Sequence, residues 1–244
     1  ASIFSNPARL VSSFRTSASL SVQRHLQTST LAALSLSSRA GRGTAGVGVQ
    51  ILDYGSEAEI VPDPAFGGTR GMATGGQVSA SDLAVSAGYG VSLWRVRVGG
   101  AAKLVQQRIA GMSGSTGAMD VGIAADGPLG LTFGGSVQNI GGALALAGER
   151  APLPRTVRAG GALTLGRGGP LAVLVTGDVF QVRGSGARVV GGAEGIWSTR
   201  DGVALAARLG FQTRPDGSAA SRLTIGGGVS GRHLGLDYAF QGYE

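Results

Sequence analysis

The chain has 244 residues, of which 45 are glycine, none is cysteine and only 14% are charged. The absence of cysteine excludes a disulfide framework and thiolate metal sites. The mean hydropathy is +0.20, yet no run of about 18 apolar residues is present, which excludes a transmembrane helix. An apolar, charge-poor chain of this kind needs another apolar environment. A lipid-facing β-barrel offers one, and a soluble glycine-rich β fold is the alternative.

The formal net charge of +7 comes almost entirely from arginine, because Lys103 is the only lysine. Nucleic-acid binding usually shows as clustered basic residues, and single strands also need aromatic stacking platforms. Here the arginines are scattered along the chain, and no aromatic residue is interleaved with a basic tract. We therefore expect no nucleic-acid partner.

Alternation of apolar with small or polar residues predicts about thirteen β-strands, because successive side chains of a strand point to opposite faces. The clearest stretch is Leu131 to Leu165, where two alternating runs flank a loop that contains Pro152 and Pro154. The predicted strands are residues 14–22, 31–38, 44–54, 83–93, 96–108, 118–125, 131–138, 155–165, 171–182, 187–197, 203–213, 221–230 and 234–240. Their lengths are close to the ~9–11 residues that span a bilayer when tilted.

The predicted connections differ in length according to their place in the chain. Every second connection is short: 39–43, 94–95, 126–130, 166–170, 198–202 and 231–233. The others are mostly longer: 24–29, 55–80, 109–116, 139–154, 183–186 and 214–220. Long loops on one side and short turns on the other are typical of outer-membrane barrels. Since bacterial barrels have an even number of strands, thirteen predicts a fourteenth beyond Glu244, and a signal peptide that has been removed or cut away.

Mid-strand charges are expected to face the lumen of such a barrel, because an Arg or Lys on the lipid face near the midplane costs roughly 2–4 kcal/mol. The strand register predicts two ion pairs, Glu194–Arg208 and Arg222–Asp237. These side chains could line a solute path or simply fill a narrow interior. The candidate lumen-facing residues are Arg97, Lys103, Arg158, Glu194, Arg208, Arg222 and Asp237.

Motifs of enzymes and cofactor sites have little support. Residues 41–46 match the GxGxxG dinucleotide pattern, but an alternating strand-like run follows where the phosphate site requires a helix. His25 and His233 have no second ligand at metal spacing, and no GxSxG nucleophile motif is present. We expect no catalytic residue, no cofactor and no metal.

The chain resembles the PorV/PorQ family of bacterial outer-membrane proteins, which is similar to FadL-type transporters of hydrophobic compounds. The resemblance lies in the Asn6-Pro7-Ala8 element, in the segment 99–122, and in residues 136–141 followed by 153–155 and 158–160. Three further stretches complete it: residues 190–194, 207–212 and 236–240. Both the beginning of the family's N-terminal segment and its final strand are absent from this sequence.

The resemblance implies a transmembrane, antiparallel, up-and-down β-barrel of 14 strands, of which about 13 are present. Residues 1–10 would fold into the lumen, with Asn6, Pro7 and Ala8 as a hatch or gate. Residues 11–240 would form the barrel, and residues 241–244 would begin a truncated turn. The implied location is the bacterial outer membrane, with membrane lipid as a partner.

Two roles remain open within this fold. The first is the passage or binding of hydrophobic small molecules, with residues 55–80 and 139–154 around the outer mouth and an apolar pocket beneath them. The alternative is a non-transporting component of a protein secretion (type IX-like) or cell-surface complex, in which the same loops hold a cargo or partner protein. A soluble structural β protein is the third possibility, and it predicts apolar strand faces that meet one another.

Overall fold

The computed structural model describes residues 2–11, 15–25, 29–166, 168–213 and 222–242, which form fifteen β-strands and four short 3₁₀ turns. In chain order the strands are β1 (Thr16–His25), β2 (Ser29–Ala40), β3 (Gly43–Pro62), β4 (Gly71–Leu93), β5 (Val96–Ile109), β6 (Met112–Asp126), β7 (Leu131–Ile140), β8 (Ala143–Leu146), β9 (Glu149–Pro152), β10 (Thr156–Leu165), β11 (Leu171–Val182), β12 (Ala187–Ser198), β13 (Ala204–Gln212), β14 (Arg222–Ser230) and β15 (Gly235–Gln241).

Thirteen of these strands form one antiparallel sheet, and their order in the sheet follows their order in the chain. Between β7 and β10 the chain inserts β8 and β9, which pair only with each other. The all-β class, the number of strands in the large sheet and their sequential antiparallel order are confirmed. The last strand includes Gln241, one residue past the predicted boundary at 240.

The prediction of long loops at residues 55–80 and 109–116 is wrong. Strand β3 continues to Pro62 and β4 starts at Gly71, so most of the first region is a paired hairpin closed by a turn at residues 63–70. Strands β5 and β6 are joined by Ala110 and Gly111 alone. Backbone hydrogen bonds, rather than side-chain alternation, extend these strands, and the small and polar residues there carry little periodic signal.

The two ends of the sheet still differ. At one end, which we call the short-turn end, the connections are residues 41–42, 94–95, 127–130, 166–170, 199–203 and 231–234. At the other, the long-loop end, residues 141–155 carry the β8–β9 hairpin and residues 63–70 cap the extended β3–β4 hairpin. Residues 110–111 and 183–186 at that end are also short. The connections at the long-loop end are therefore longer on the whole than those at the short-turn end, but the difference is smaller than the sequence predicts.

The sheet has one apolar and one polar face, since the register keeps alternating side chains aligned from strand to strand. The apolar face is open to the surroundings in the described part of the chain: Leu20 is 71% exposed, Leu104 57% and Leu209 66%. Further members of this face are Leu36, Val85, Ile123, Val157, Val175, Val189, Ile225 and Leu236, all exposed.

The buried core lies on the polar face. It consists of Ile3, Leu10 and Ala101, with Phe4 packed against them. The small size of this core means that the sheet is not the inner wall of a two-layer sandwich in the part of the chain described. No helix among the described residues has the length and apolar character needed to cross a membrane.

The ladder of the large sheet has two ends. Within the described residues β1 pairs with β2 alone and β15 with β14 alone. Closure of the sheet into a barrel therefore stays a prediction.

Candidate functional site

The N-terminal segment, residues 2–11, lies on the polar face of the sheet. It forms two 3₁₀ turns, Ser2–Phe4 and Pro7–Leu10, and buries Ile3, Pro7, Ala8 and Leu10. Asn6 caps the second turn: its backbone is extended and its Oδ1 accepts a hydrogen bond from the Ala8 amide at 3.0 Å. An Asn cap followed by Pro in the first turn is a favourable start for such a turn, which explains the order Asn6-Pro7-Ala8.

The side-chain amide of Asn6 also fixes the segment to the sheet. Its Nδ2 donates to the carbonyl oxygens of Ile123 at 3.0 Å and Gly135 at 3.1 Å, which face each other across β6 and β7. Asn6 is only 8% exposed. Because it uses one acceptor and two donors, neither Asp nor Leu could replace it without leaving buried backbone groups unpaired.

Strand β7 provides two more contacts with the backbone of the segment. Ser136 Oγ donates to the Ser5 carbonyl at 2.8 Å, and Gln138 Nε2 donates to the Phe4 carbonyl at 2.7 Å. Both side chains are buried. The segment is thus held by hydrogen bonds as well as by apolar packing.

Glycines form the floor beneath the segment. A Cβ atom at Gly46 or Gly48 of β3 would overlap Leu10 or Phe4. At Gly99 of β5 it would overlap the Pro7 carbonyl group, and at Gly122 of β6 the Asn6 side chain. Glycine normally weakens a strand, and the close approach of the N-terminal segment explains why glycine occurs at these positions. Sequence reasoning did not identify them, although Gly99 and Gly122 bound a segment that carries the family resemblance.

A buried ion pair lies next to the docked segment. Lys103 Nζ is 2.8 Å from Asp120 Oδ2, and the two side chains are 8% and 0% exposed. Lys103 also donates to Asn139 Oδ1 at 2.9 Å, and the Asn139 amide donates to Asp120 Oδ1 at 2.7 Å. Asn139 has a positive φ of 58° and lies beside the register shift between β6 and β7.

This ion-pair cluster also holds the β8–β9 insertion in place. Asn139 Nδ2 donates to the Pro154 carbonyl at 3.0 Å, and Leu144 and Leu153 of the insertion are buried. Residues from three strands and one loop are therefore joined through Asn139. Asp120 and Asn139 were not predicted as site residues, although both lie in the stretches that carry the family resemblance.

A cavity of about 440 Å³ lies between the N-terminal segment and the β8–β9 insertion. Its wall combines apolar groups of Phe4, Leu144 and Pro154 with polar groups of Gln50, Asp82 and Gln138. Asp82 Oδ1 is buried without a hydrogen-bond partner, whereas Oδ2 accepts from Tyr54 at 2.9 Å. The volume is within the 300–1,000 Å³ typical of small-molecule sites, and the mixed wall suits a ligand with both apolar and hydrogen-bonding parts.

The other predicted polar residues lie on the same face but at separate places. Arg208 is 2.7 Å from Glu194, so that predicted pair is present. Arg97 pairs with Asp126 at 2.7 Å. Arg158 has its guanidinium over the Phe180 ring instead of beside a carboxylate.

The predicted pair Arg222–Asp237 is wrong. Asp237 lies opposite Gly228, six residues or about 20 Å along the strand from Arg222, and its carboxylate pairs with Arg208. The extended Arg208 side chain reaches diagonally across β14, where Gly228 leaves room, and this was not evident from spacing alone. The side chain of Arg222 lies outside the described part of the structure.

No set of three or more His, Cys, Asp or Glu side chains within the described residues is arranged to hold a metal ion. Comparison with protein-family models gave no match to this chain, and comparison with curated proteins gave no significant match.

Substitution of Gly122 by Ala should loosen the N-terminal segment, because the new methyl group overlaps Asn6. We expect a loss of about 1–3 kcal/mol in the free energy of unfolding and faster tryptic cleavage after Arg9. The matched control is Gly100→Ala, where the nearest atom is 3.8 Å from the added Cβ. Equal behaviour of the two variants would contradict the close-approach explanation.

Substitution of Asp120 by Asn should destabilise the fold by about 3–5 kcal/mol, because it leaves the buried Lys103 ammonium without its counter-charge. The double variant Lys103→Met/Asp120→Asn removes both charges and should recover most of that loss. Denaturant midpoints of the three proteins measure the effect. A double variant no more stable than Asp120→Asn would show that charge burial is not the cause.

Proposed function

We propose that the chain forms an outer-membrane β-barrel of the PorV/PorQ type, which binds or passes hydrophobic small molecules. The observation that carries the proposal is the exposed apolar face of the large sheet. Contiguous apolar surface of this extent marks contact with a membrane or a large partner. A soluble two-layer fold predicts apolar faces packed against one another, and the described sheet has its apolar face uncovered.

The distribution of charge supports the membrane assignment. The ion pairs Lys103–Asp120 and Glu194–Arg208 lie on the polar face, away from the strand ends. A mid-strand Arg or Lys on the apolar face would face lipid, and near the midplane each would raise the free energy of insertion by roughly 2–4 kcal/mol. Strands such as β10 and β11, with 10 and 12 residues, are long enough to cross.

In this proposal the sheet closes, directly between β1 and β15 or through an additional strand, because unpaired strand edges are not tolerated in lipid. The polar face then encloses the lumen, and the N-terminal segment lies inside it as the hatch. Asn6, Pro7 and Ala8 form the part of the hatch fixed to β5, β6 and β7.

The cavity of about 440 Å³ is the binding site in this proposal. It lies on the side of the hatch that faces the long-loop end, as an entry site requires. Phe4 and Gln138 connect its wall to the docked segment, since Gln138 donates to the Phe4 carbonyl. Release of the segment would therefore break the Gln138–Phe4 hydrogen bond and remove Phe4 from the cavity wall, which would open the cavity.

A role in a secretion or cell-surface complex is the second candidate, and the extended β3–β4 hairpin favours it. These strands have 20 and 23 residues, longer than the rest of the sheet, and present exposed Ile60, Phe66 and Met72 beyond the neighbouring strands. Such a projection suits contact with another protein. In this role the cavity would have no ligand, so ligand binding distinguishes the two candidates.

The first experiment is to fold the full-length protein in detergent and compare its gel mobility with and without boiling. A closed barrel resists the detergent and migrates faster before boiling. The same samples should show a β-rich circular dichroism spectrum. A protein that is monodisperse in water without detergent would overturn the membrane proposal.

A charge on the apolar face should block insertion, whereas the same charge one residue away on the polar face should not. We expect Val175→Arg to lower the yield of heat-modifiable protein in lipid vesicles, at a cost of roughly 2–4 kcal/mol. Val175 is exposed in the middle of β11, and Thr176, its neighbour on the polar face, provides the control variant Thr176→Arg. Equal yields from both variants would mean that this face does not meet lipid.

A further inference from the structure

Two arginines and one phenylalanine lie side by side on the polar face, outside the cavity of about 440 Å³ described above. Arg158 on β10 is opposite Phe180 on β11, and Phe180 is opposite Arg188 on β12. The two guanidinium carbons are 5.0 Å and 5.6 Å from the centroid of the Phe180 ring. Both cations are therefore held on one aromatic side chain by cation–π attraction.

These two arginines differ from the charged residues that form ion pairs on this face. Arg97 and Arg208 each contact a carboxylate in the described structure, whereas neither Arg158 nor Arg188 has a carboxylate within 4.0 Å there. The nearest acid along β11 is Asp178, which lies opposite Gly160 on the same face. As at Arg97, the Nε atoms of Arg158 and Arg188 are buried without a hydrogen-bond acceptor.

This arrangement is electrostatically incomplete. A buried donor without a partner is unfavourable, and here two such donors belong to like charges that share one ring. Cation–π attraction offsets only part of this cost. An anion that contacts both guanidinium groups would reduce the repulsion between the two cations.

We propose that Arg158, Phe180 and Arg188 form a binding site for a small oxyanion, either a phosphate or a carboxylate group. Guanidinium groups present a planar fork of N–H donors that matches the oxygens of both. The edge of an aromatic ring carries partial positive charge, so an anion at the edge of Phe180 is attracted by the ring as well.

Space for the anion is available beside Arg158. A cavity of about 250 Å³ is bounded by Arg158, Thr176, Asp178 and Ser136, together with Asn6 and Arg9 of the N-terminal segment. Arg9 adds a second cation to the wall of this cavity, and Asp178 adds a carboxylate. The proposed site needs only the register of β10, β11 and β12, so it does not depend on barrel closure.

Titration calorimetry of the folded full-length protein tests the site, with sodium phosphate and sodium acetate as separate probes at constant ionic strength. We expect phosphate, acetate or both to bind. Arg158→Gln and Arg188→Gln should each weaken the bound probe at least about tenfold, because each removes a charged hydrogen-bond donor. Binding of phosphate alone would assign the site to phosphate groups, and binding of acetate alone to carboxylates.

The control is Arg155→Gln, which removes the same charge from an exposed residue three positions earlier in the chain, just before β10. It should leave the affinity unchanged. Arg158→Lys keeps the charge but loses the fork and should also weaken binding, which separates recognition from net charge if a Gln variant folds poorly. No binding of either probe to the wild-type protein, or equal weakening by Arg155→Gln, would overturn the proposal.

Discussion

The period of two along a β-strand is the constraint on which the structure depends. The strands of the large sheet place most of their large apolar side chains on one face and most of their mid-strand charges on the other. Because neighbouring strands are paired without a slip through most of the sheet, these local choices add up to two continuous surfaces. A shift of β13 by one residue, for example, would move Arg208 to the apolar face.

Close backbone approach is the second constraint, and it acts on the polar face. The N-terminal segment can lie near the strands because Gly46, Gly48, Gly99 and Gly122 have no side chains to displace it. The same proximity brings Asn6 within hydrogen-bonding distance of two strand carbonyls. The glycines and the Asn6 amide therefore act together, since the hydrogen bonds of Asn6 require the close approach that the glycines allow.

The strands were predictable from sequence because alternation is a local signal repeated many times. Predicting the Glu194–Arg208 pair needed only the register of two adjacent strands. The Asp237 contact was not predictable, since a long arginine side chain can reach diagonally to a residue on the second strand away. The glycines that contact the N-terminal segment and the Lys103–Asp120–Asn139 cluster were not predicted, because the residues that they contact lie far away in the chain. Alternation within a strand carries no information about which residues pack on its faces.

The contacts of Asn6 also have a consequence for the order of folding. The residues that it joins are 117 and 129 positions away in sequence, and they lie on two different strands. The acceptor pair does not exist until β6 and β7 have come together, and loop closure over such distances is slow. Residues 2–11 can therefore reach their final place only after β6 and β7 have paired, and their docking reports that the middle of the sheet has assembled.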